Sequence, residues 1–210
     1  MNAYREYYHR HLPHWQPKEA TFFVTIHLSN SLSHEEIIRL KNQRTQMLKI
    51  LSNIDNPIVY EHRNDEIEKL YFAQWDTALA KSKSNQNWLN QGPIAQILTE
   101  ALIFRNGKLY QLWAYCIMPN HLHVVFTLLK QSDGNFSSLQ SIMQSFKRFT
   151  GQMCNQVLQR HGSFWQTESY DHVVRDQDEL KRIVYYVMNN PVKAGFVSQP
   201  RDWQWSYSIL

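Results

Sequence analysis

Two histidines, His121 and His123, flank Leu122 in a β-prone run of the 210-residue chain. On a strand, positions i and i+2 point to the same face, so both imidazoles can turn toward one metal ion. Further along lies Tyr185-Tyr186-Val187-Met188-Asn189-Asn190-Pro191. On a helix, a tyrosine and an amide four residues apart, such as Tyr186 and Asn190, share a face. The neighbouring Tyr185 points about 100° away. A metal-holding pair plus a tyrosine is what an enzyme that cuts phosphodiesters with a tyrosine nucleophile needs. The phosphodiester is anionic and resists attack; cleavage needs an in-line nucleophile and a cation on a non-bridging oxygen. A phenol with a reference pKa of about 10 is a poor nucleophile, and a nearby cation favours its phenolate. Histidines alone suit Zn or Ni as well as other ions. A His-x-His pair in isolation is also compatible with a plain polar strand.

These residues have to be positioned by regular elements. Ala20 to Leu28 is β-branched and aromatic and reads as a first strand. Ser33-His34-Glu35-Glu36 is a capping box that opens an amphipathic helix carrying Ile37, Leu40 and Leu51. A long polar middle follows, about 53–91, with a helical piece near Leu70 to Ala80. Pro93 starts another helix, and Asn106-Gly107 turns into a strand ending at Met118. Pro119-Asn120 breaks the chain before the strand His121 to Leu129. Ser137-x-x-Gln140 predicts a helix that buries Leu139, Ile142, Met143, Phe146, Phe149, Met153 and Val157. Its other face presents Gln144, Lys147 and Arg148. Tyr170 to Val174 reads as a short strand, and Asp178 to Asn190 as a helix that Pro191 should end. This β-α-(insert)-α-β-β-α-β-α order predicts an α+β fold with an antiparallel sheet and helices packed on one face. The organisation expected is one domain over 1–210 with a helical insert at about 53–91.

Several blocks together resemble one family. Ala114 through His121-Leu122-His123-Val124 resembles the metal motif of the REP-associated tyrosine transposases, members of the IS200-like single-tyrosine HUH transposases. Phe164 through His172 and Arg175 is similar to their next block. Tyr186 through Asn190-Pro191-Val192-Lys193-Ala194-Gly195 is similar to the nucleophile helix, and Asp202-Trp203-Gln204-Trp205-Ser206 to the closing block. The match runs from about Tyr110 to Ser206 and is weaker before Gly107. The resemblance implies a ferredoxin-like sheet with the His pair on a central strand, and Tyr186 as nucleophile. It implies Asn190 as a third ligand, its amide oxygen suited to a hard cation, and a divalent ion, Mg or Mn. It also implies attack that leaves a 5′-phosphotyrosine and a free 3′-hydroxyl. The DNA would be single-stranded or hairpin-flanked, and the protein a monomer or a homodimer. The long polar middle resembles the insert of a longer subgroup.

The composition permits this reading without proving it. Net charge is +4, aromatic content 13% and Trp count seven, which suits a single-strand binder with stacking rings, although most such rings serve as core. Lys147 and Arg148 fit phosphate contact or a solvated face. His172 and Arg175 fit phosphate contact or a polar core. Trp165 and Tyr170 are candidates for base stacking. No apolar run has the length of a membrane span. Met1-Asn2-Ala3-Tyr4-Arg5 has no secretory pattern, and two cysteines fit a reduced cytoplasmic setting. Two rivals stand beside the transesterase: a catalytically silent hairpin-binding protein of the same fold, and a small metal hydrolase unrelated to DNA.

Overall fold

The computed structural model describes residues 7–9, 13–15, 17–51, 54–82 and 86–210, so Met1–Arg5, where a secretory pattern was sought, lie outside the described residues. The chain divides into two compact units, one of Met1–Ser29 with Asn87–Leu210 and one of Asn30–Gln86.

The first unit holds two short strands, β1 (Tyr7–His9) and β2 (Pro13–Trp15), that pair antiparallel. It continues with β3 (Thr21–His27), and in the second unit come α1 (His34–Leu51) and α2 (Pro57–Ala80). The first unit then resumes with α3 (Gly92–Arg105), β4 (Tyr110–Ile117), β5 (His121–Leu128), α4 (Leu139–Val157), β6 (Tyr170–Val174), α5 (Gln177–Lys193) and β7 (Ser206–Ser208). Five strands form one antiparallel sheet in the order β6-β3-β5-β4-β7. Taking β3, β4, β5 and β6 as the strands of a β-α-β-β-α-β unit, the order is fourth, first, third, second. That is the ferredoxin-like arrangement, with β7 added outside β4 and β5 in the centre.

The layers differ from the one-sided sheet expected. One face carries Phe22, Val24, Ile26, Leu122, Val124 and Phe126, packed with Ile94, Leu98 and Leu102 of α3 and Leu139, Ile142 and Phe146 of α4. The other face carries Phe23, Thr25 and His123 and lies under α5, whose Asn190 and Tyr186 meet His123. The physical reason is visible in β5, where seven of eight residues are buried. Successive side chains of a strand point to opposite faces, so burial of both alternating sets means that both faces of the sheet are covered.

Local details decide where elements begin and end. α2 starts well before Leu70, because Asn56 accepts hydrogen bonds from the N–H groups of Ile58 and Val59 and Pro57 fills the first turn. In the second unit Leu40 of α1 packs with Tyr71 and Leu79 of α2, and Arg44 pairs with Glu68 at 2.5 Å. This unit begins before the helical insert expected at about 53–91, since α1 packs on α2. The cap of α4 is Ser138, which accepts from the N–H of Ser141, rather than Ser137. Phe149 and Val157 are exposed, and Thr150, Gly151 and Cys154 take the buried stripe. A Cβ on Gly151 would stand 3.4 Å from the Phe164 Cβ and 3.6 Å from the Trp165 ring, so its absence lets that segment close on α4. α5 also runs past Pro191. It ends instead at Gly195 (φ 77°), where the N–H of Phe196 reaches the Pro191 carbonyl and that of Gly195 the Val192 carbonyl, a Schellman closure.

Candidate active site

The strand register brings the site together. β3 and β5 pair Thr25 with His123 and His27 with His121, so all four side chains lie on the α5 side of the sheet. His121 begins β5 directly after the Pro119-Asn120 turn, which the Met118 N–H closes on the His121 carbonyl. Its Nδ1 lies 2.7 Å from the Asn120 Oδ1. A carboxamide oxygen only accepts, so Nδ1 carries the proton and Nε2 keeps its lone pair. His123 is fully buried, with Nδ1 2.7 Å from the Thr25 Oγ1 and Nε2 3.1 Å from the Asn190 amide nitrogen. The two imidazole rings stand 4.7 Å apart and nearly perpendicular. Fixing one ring nitrogen by an outer hydrogen bond is how proteins aim the other at a metal.

The nucleophile candidate belongs to the same cluster. The Tyr186 ring is 5.8 Å from that of His123 and 6.2 Å, edge-on, from Phe23, and the Lys193 Nζ lies 4.4 Å over its centroid. Tyr185 is 71% exposed and points away from this group. Asn190 is buried one helical turn beyond Tyr186. The structure therefore brings four sequence candidates together: His121, His123, Tyr186 and Asn190. Two imidazoles with their outer nitrogens fixed, plus an amide, are a donor set that fits a divalent ion.

The remaining candidates are placed differently. Trp165 is a core residue, 7% exposed, with its indole N–H on the Thr150 hydroxyl at 2.9 Å and its ring against Phe164. Little of its ring is open for the base stacking expected. Lys147 uses its ammonium on three carbonyls, those of Gln166, Thr167 and Glu168, at 3.0–3.2 Å. It clasps this loop rather than presenting a phosphate site. His172 sits 3.2 Å from the buried carboxylate of Glu179, which also accepts the Arg175 N–H. The pair docks the start of α5 on β6, so of the two readings of His172 the polar-core one describes its place. Arg148 and Arg175 are exposed, and Tyr170 is half-buried with its edge on Phe23. Arg148 lines a cleft of about 440 Å³ between α4 and residues 162–171.

Sequence reading missed His27. Burial first, and the charge of Lys147 second, lower its imidazole to about 4, against the raising effect of a hydrogen bond to the Leu28 carbonyl. Its signal was present: it is the last β3 residue in register with the metal pair. Thr25, which hydrogen-bonds His123, had no motif to mark it, and Asn120, which hydrogen-bonds His121, lay inside the motif block but was read only as a strand break.

Among the described residues, no helix is long and apolar enough to cross a membrane. The family described as Transposase IS200 like matches residues 82–190, just over half of the chain. A Haemophilus influenzae protein provisionally named a REP-associated tyrosine transposase is 30% identical over 98 residues, covering 44% of this chain and 56% of its own. The REP-associated tyrosine transposase of Escherichia coli K12 is 28% identical over 112 residues, covering 53% and 62%. The chain thus spans less than two thirds of the length of these relatives. The solved structure of a REP-associated tyrosine transposase bound to a REP hairpin aligns with 98% of this chain and 82% of that one, at 22% identity and a TM-score of 0.48. With the His-x-His strand and the tyrosine helix both inside or bordering the matched span, the chain belongs to the IS200-like transposase family.

Proposed function

We propose that this protein is a divalent-metal-dependent DNA transesterase that cleaves and rejoins single-stranded, hairpin-flanked DNA through a 5′-phosphotyrosine on Tyr186. The observation that carries the reading is the convergence of Tyr186 and Asn190 of α5 on His123 of β5, with His121 beside it. His121, His123 and Asn190 would hold the ion, Mg or Mn, which on a non-bridging phosphate oxygen would offset charge during attack. Neutral ligands leave that ion its full charge, and three ligands leave positions for phosphate and water.

The chain's own residues do the rest. Phe23 and His123 hold the Tyr186 ring at the sheet surface. The Tyr186 Oη forms a bond to phosphorus as the bond to the 3′-oxygen breaks, and the phenolic proton leaves while the 3′-oxygen takes one up. The phosphotyrosine retains the energy of the broken bond, so a second 3′-hydroxyl can reverse the step. Arg148 and Arg175, both exposed, would meet phosphates, and Tyr170, with its edge on Phe23, would stack a base. Hairpin DNA is the substrate form favoured, because a strand must bend into the face beneath α5 and paired DNA is stiff. The two free thiols, Cys116 and Cys154, suit a cytoplasmic setting. Both a monomer and a homodimer are compatible with this chemistry.

The test is incubation of labelled hairpins carrying single-stranded flanks with Mn or Mg, followed by denaturing gels. Wild type and Tyr185→Phe should give a covalent protein–DNA adduct; Tyr186→Phe should give none while still binding DNA. An adduct that survives in Tyr186→Phe and disappears in Tyr185→Phe reverses the assignment. Tight, saturable hairpin binding without any nicking would favour the silent DNA-binding protein, and metal-dependent hydrolysis of small esters without an adduct the unrelated hydrolase.

A further inference from the structure

Lys193 occupies the last turn of α5, which exists only because the helix continues through Pro191 to the Gly195 closure. It lies seven positions after Tyr186, close to two full turns, so both project from one face. Helical side chains lean toward the N-terminus, and the Lys193 stem carries its Nζ back to 4.4 Å from the centre of the Tyr186 ring. The ordinary role of a lysine at a helix end is to complement the exposed carbonyls. Here those of Asn190, Pro191 and Val192 are taken by the N–H groups of Ala194, Phe196 and Gly195. Among the described residues no carboxylate pairs with Lys193, and the side chain is exposed to an incoming strand.

We propose that Lys193 is a catalytic residue whose ammonium moves from the Tyr186 ring to a non-bridging oxygen of the phosphate under attack, and stays on that oxygen in the phosphotyrosine. This rests on the function proposed above. The bond changes are those already given: Oη–P forms, P–O3′ breaks, the phenolic proton leaves, and the 3′-oxygen is protonated. Lys193 gives up no proton and supplies only charge. Two singly negative partners, the phosphodiester and the phenolate, meet in one transition state, and a cation held within reach of it lowers the barrier more than it aids binding. The cation–π contact keeps the ammonium next to the ring before DNA arrives.

The test uses the full-length protein and the flanked hairpin as probe. Lys193→Met and Lys193→Cys should slow adduct formation by roughly a hundredfold, the range for removing one such stabilising donor, while affinity for uncut hairpin and the melting temperature change little. Treatment of Lys193→Cys with 2-bromoethylamine rebuilds a side chain of lysine's length ending in an ammonium, and should restore most of the rate. The two native thiols do not interfere: Cys116 and Cys154 are fully buried, and burial pushes the Cys154 thiol up to about 12. A lysine with only a structural role would lower melting temperature and DNA affinity along with the rate. That result, a wild-type rate in Lys193→Met, or an aminoethylated variant that binds hairpin and stays slow would each overturn the inference alone. Absence of an adduct from wild type would remove the proposed function and this inference with it.

Discussion

The two faces of the central sheet are both buried, and they are buried in different materials. Toward α3 and α4 the contacts are Phe22, Val24, Ile26, Leu98, Phe126 and Phe146. Toward α5 the strands present Thr25, His27, His121 and His123 among Phe23 and Val125, and the helix answers with Glu179 and Asn190 beside the apolar Leu180, Val184 and Val187. An apolar interface tolerates exchange among groups of similar volume. A polar one requires each buried donor and acceptor to find its partner. The buried polar groups are therefore gathered on one side of the sheet, and polar substitutions there and apolar substitutions on the other side should be felt in different measurements.

The largest effect should fall on the α5 side. His121→Ala or His123→Ala should abolish Mn binding in calorimetric titration and with it DNA cleavage, with Asn190→Ala weaker in both. The loss of folding stability should stay below that of the core substitution that follows. Unchanged Mn affinity in both histidine variants would put the ion elsewhere. On the opposite face Phe126, stacked 4.6 Å from Tyr110, is the corresponding target. Phe126→Ala should cost about 3–5 kcal/mol in urea denaturation while the metal affinity of the folded fraction stays as in wild type. Reduced Mn affinity in that folded fraction would mean the two faces are not independent.

A smaller effect should appear with pH. Above pH 6.5 His27 is neutral in the folded and the unfolded chain, and its contribution is fully present. Between 6.5 and about 4 the unfolded chain takes up a proton that the folded one does not, so stability falls as pH falls. The gap corresponds to about 3 kcal/mol as an order of magnitude. Chelated wild type should lose stability through this window more steeply than chelated His27→Gln. Parallel curves would show that His27 is not held neutral by its surroundings. The smallest effect concerns Trp165→Phe, which deletes the hydrogen bond to Thr150. A cost of about 1 kcal/mol is expected, with hairpin affinity unchanged. A marked loss of hairpin affinity would return Trp165 to the role of a stacking ring.

The same contrast explains what could be read from the sequence. The order of the main elements and the strand–turn–strand around Pro119-Asn120 were legible, because each has a local cause: β-branched runs, a proline break, a Ser33 cap that does accept the Glu36 N–H. The four residues that meet at the site were legible from spacing and from the resemblance together. Other features were hidden by tertiary causes. Trp165 reads as an available ring until Gly151 is seen to let it close on α4. Lys147 reads as a free cation until the loop at 166–168 folds its carbonyls around it. Pro191 reads as a helix stop, but it lacks only one donor, and the Gly195 closure supplies the actual end. The second covered face of the sheet was hidden in β5, because His121, His123 and Thr127 alternate with apolar residues and such alternation reads as a strand with one open face.

The strand order also has a consequence in time. His121 and His123 on β5 can be set in place once β3, β4 and β5 have paired, because all three strands lie before residue 129. The proposed nucleophile lies on α5, and β6 must add beside β3 across nearly the whole length of the unit before α5 has its seat. A chain made from its N-terminus outward thus places the two histidines early, and Asn190 and Tyr186 late. Until α5 has emerged and docked, the newborn protein would hold two of the three proposed ligands, without the tyrosine proposed to break DNA.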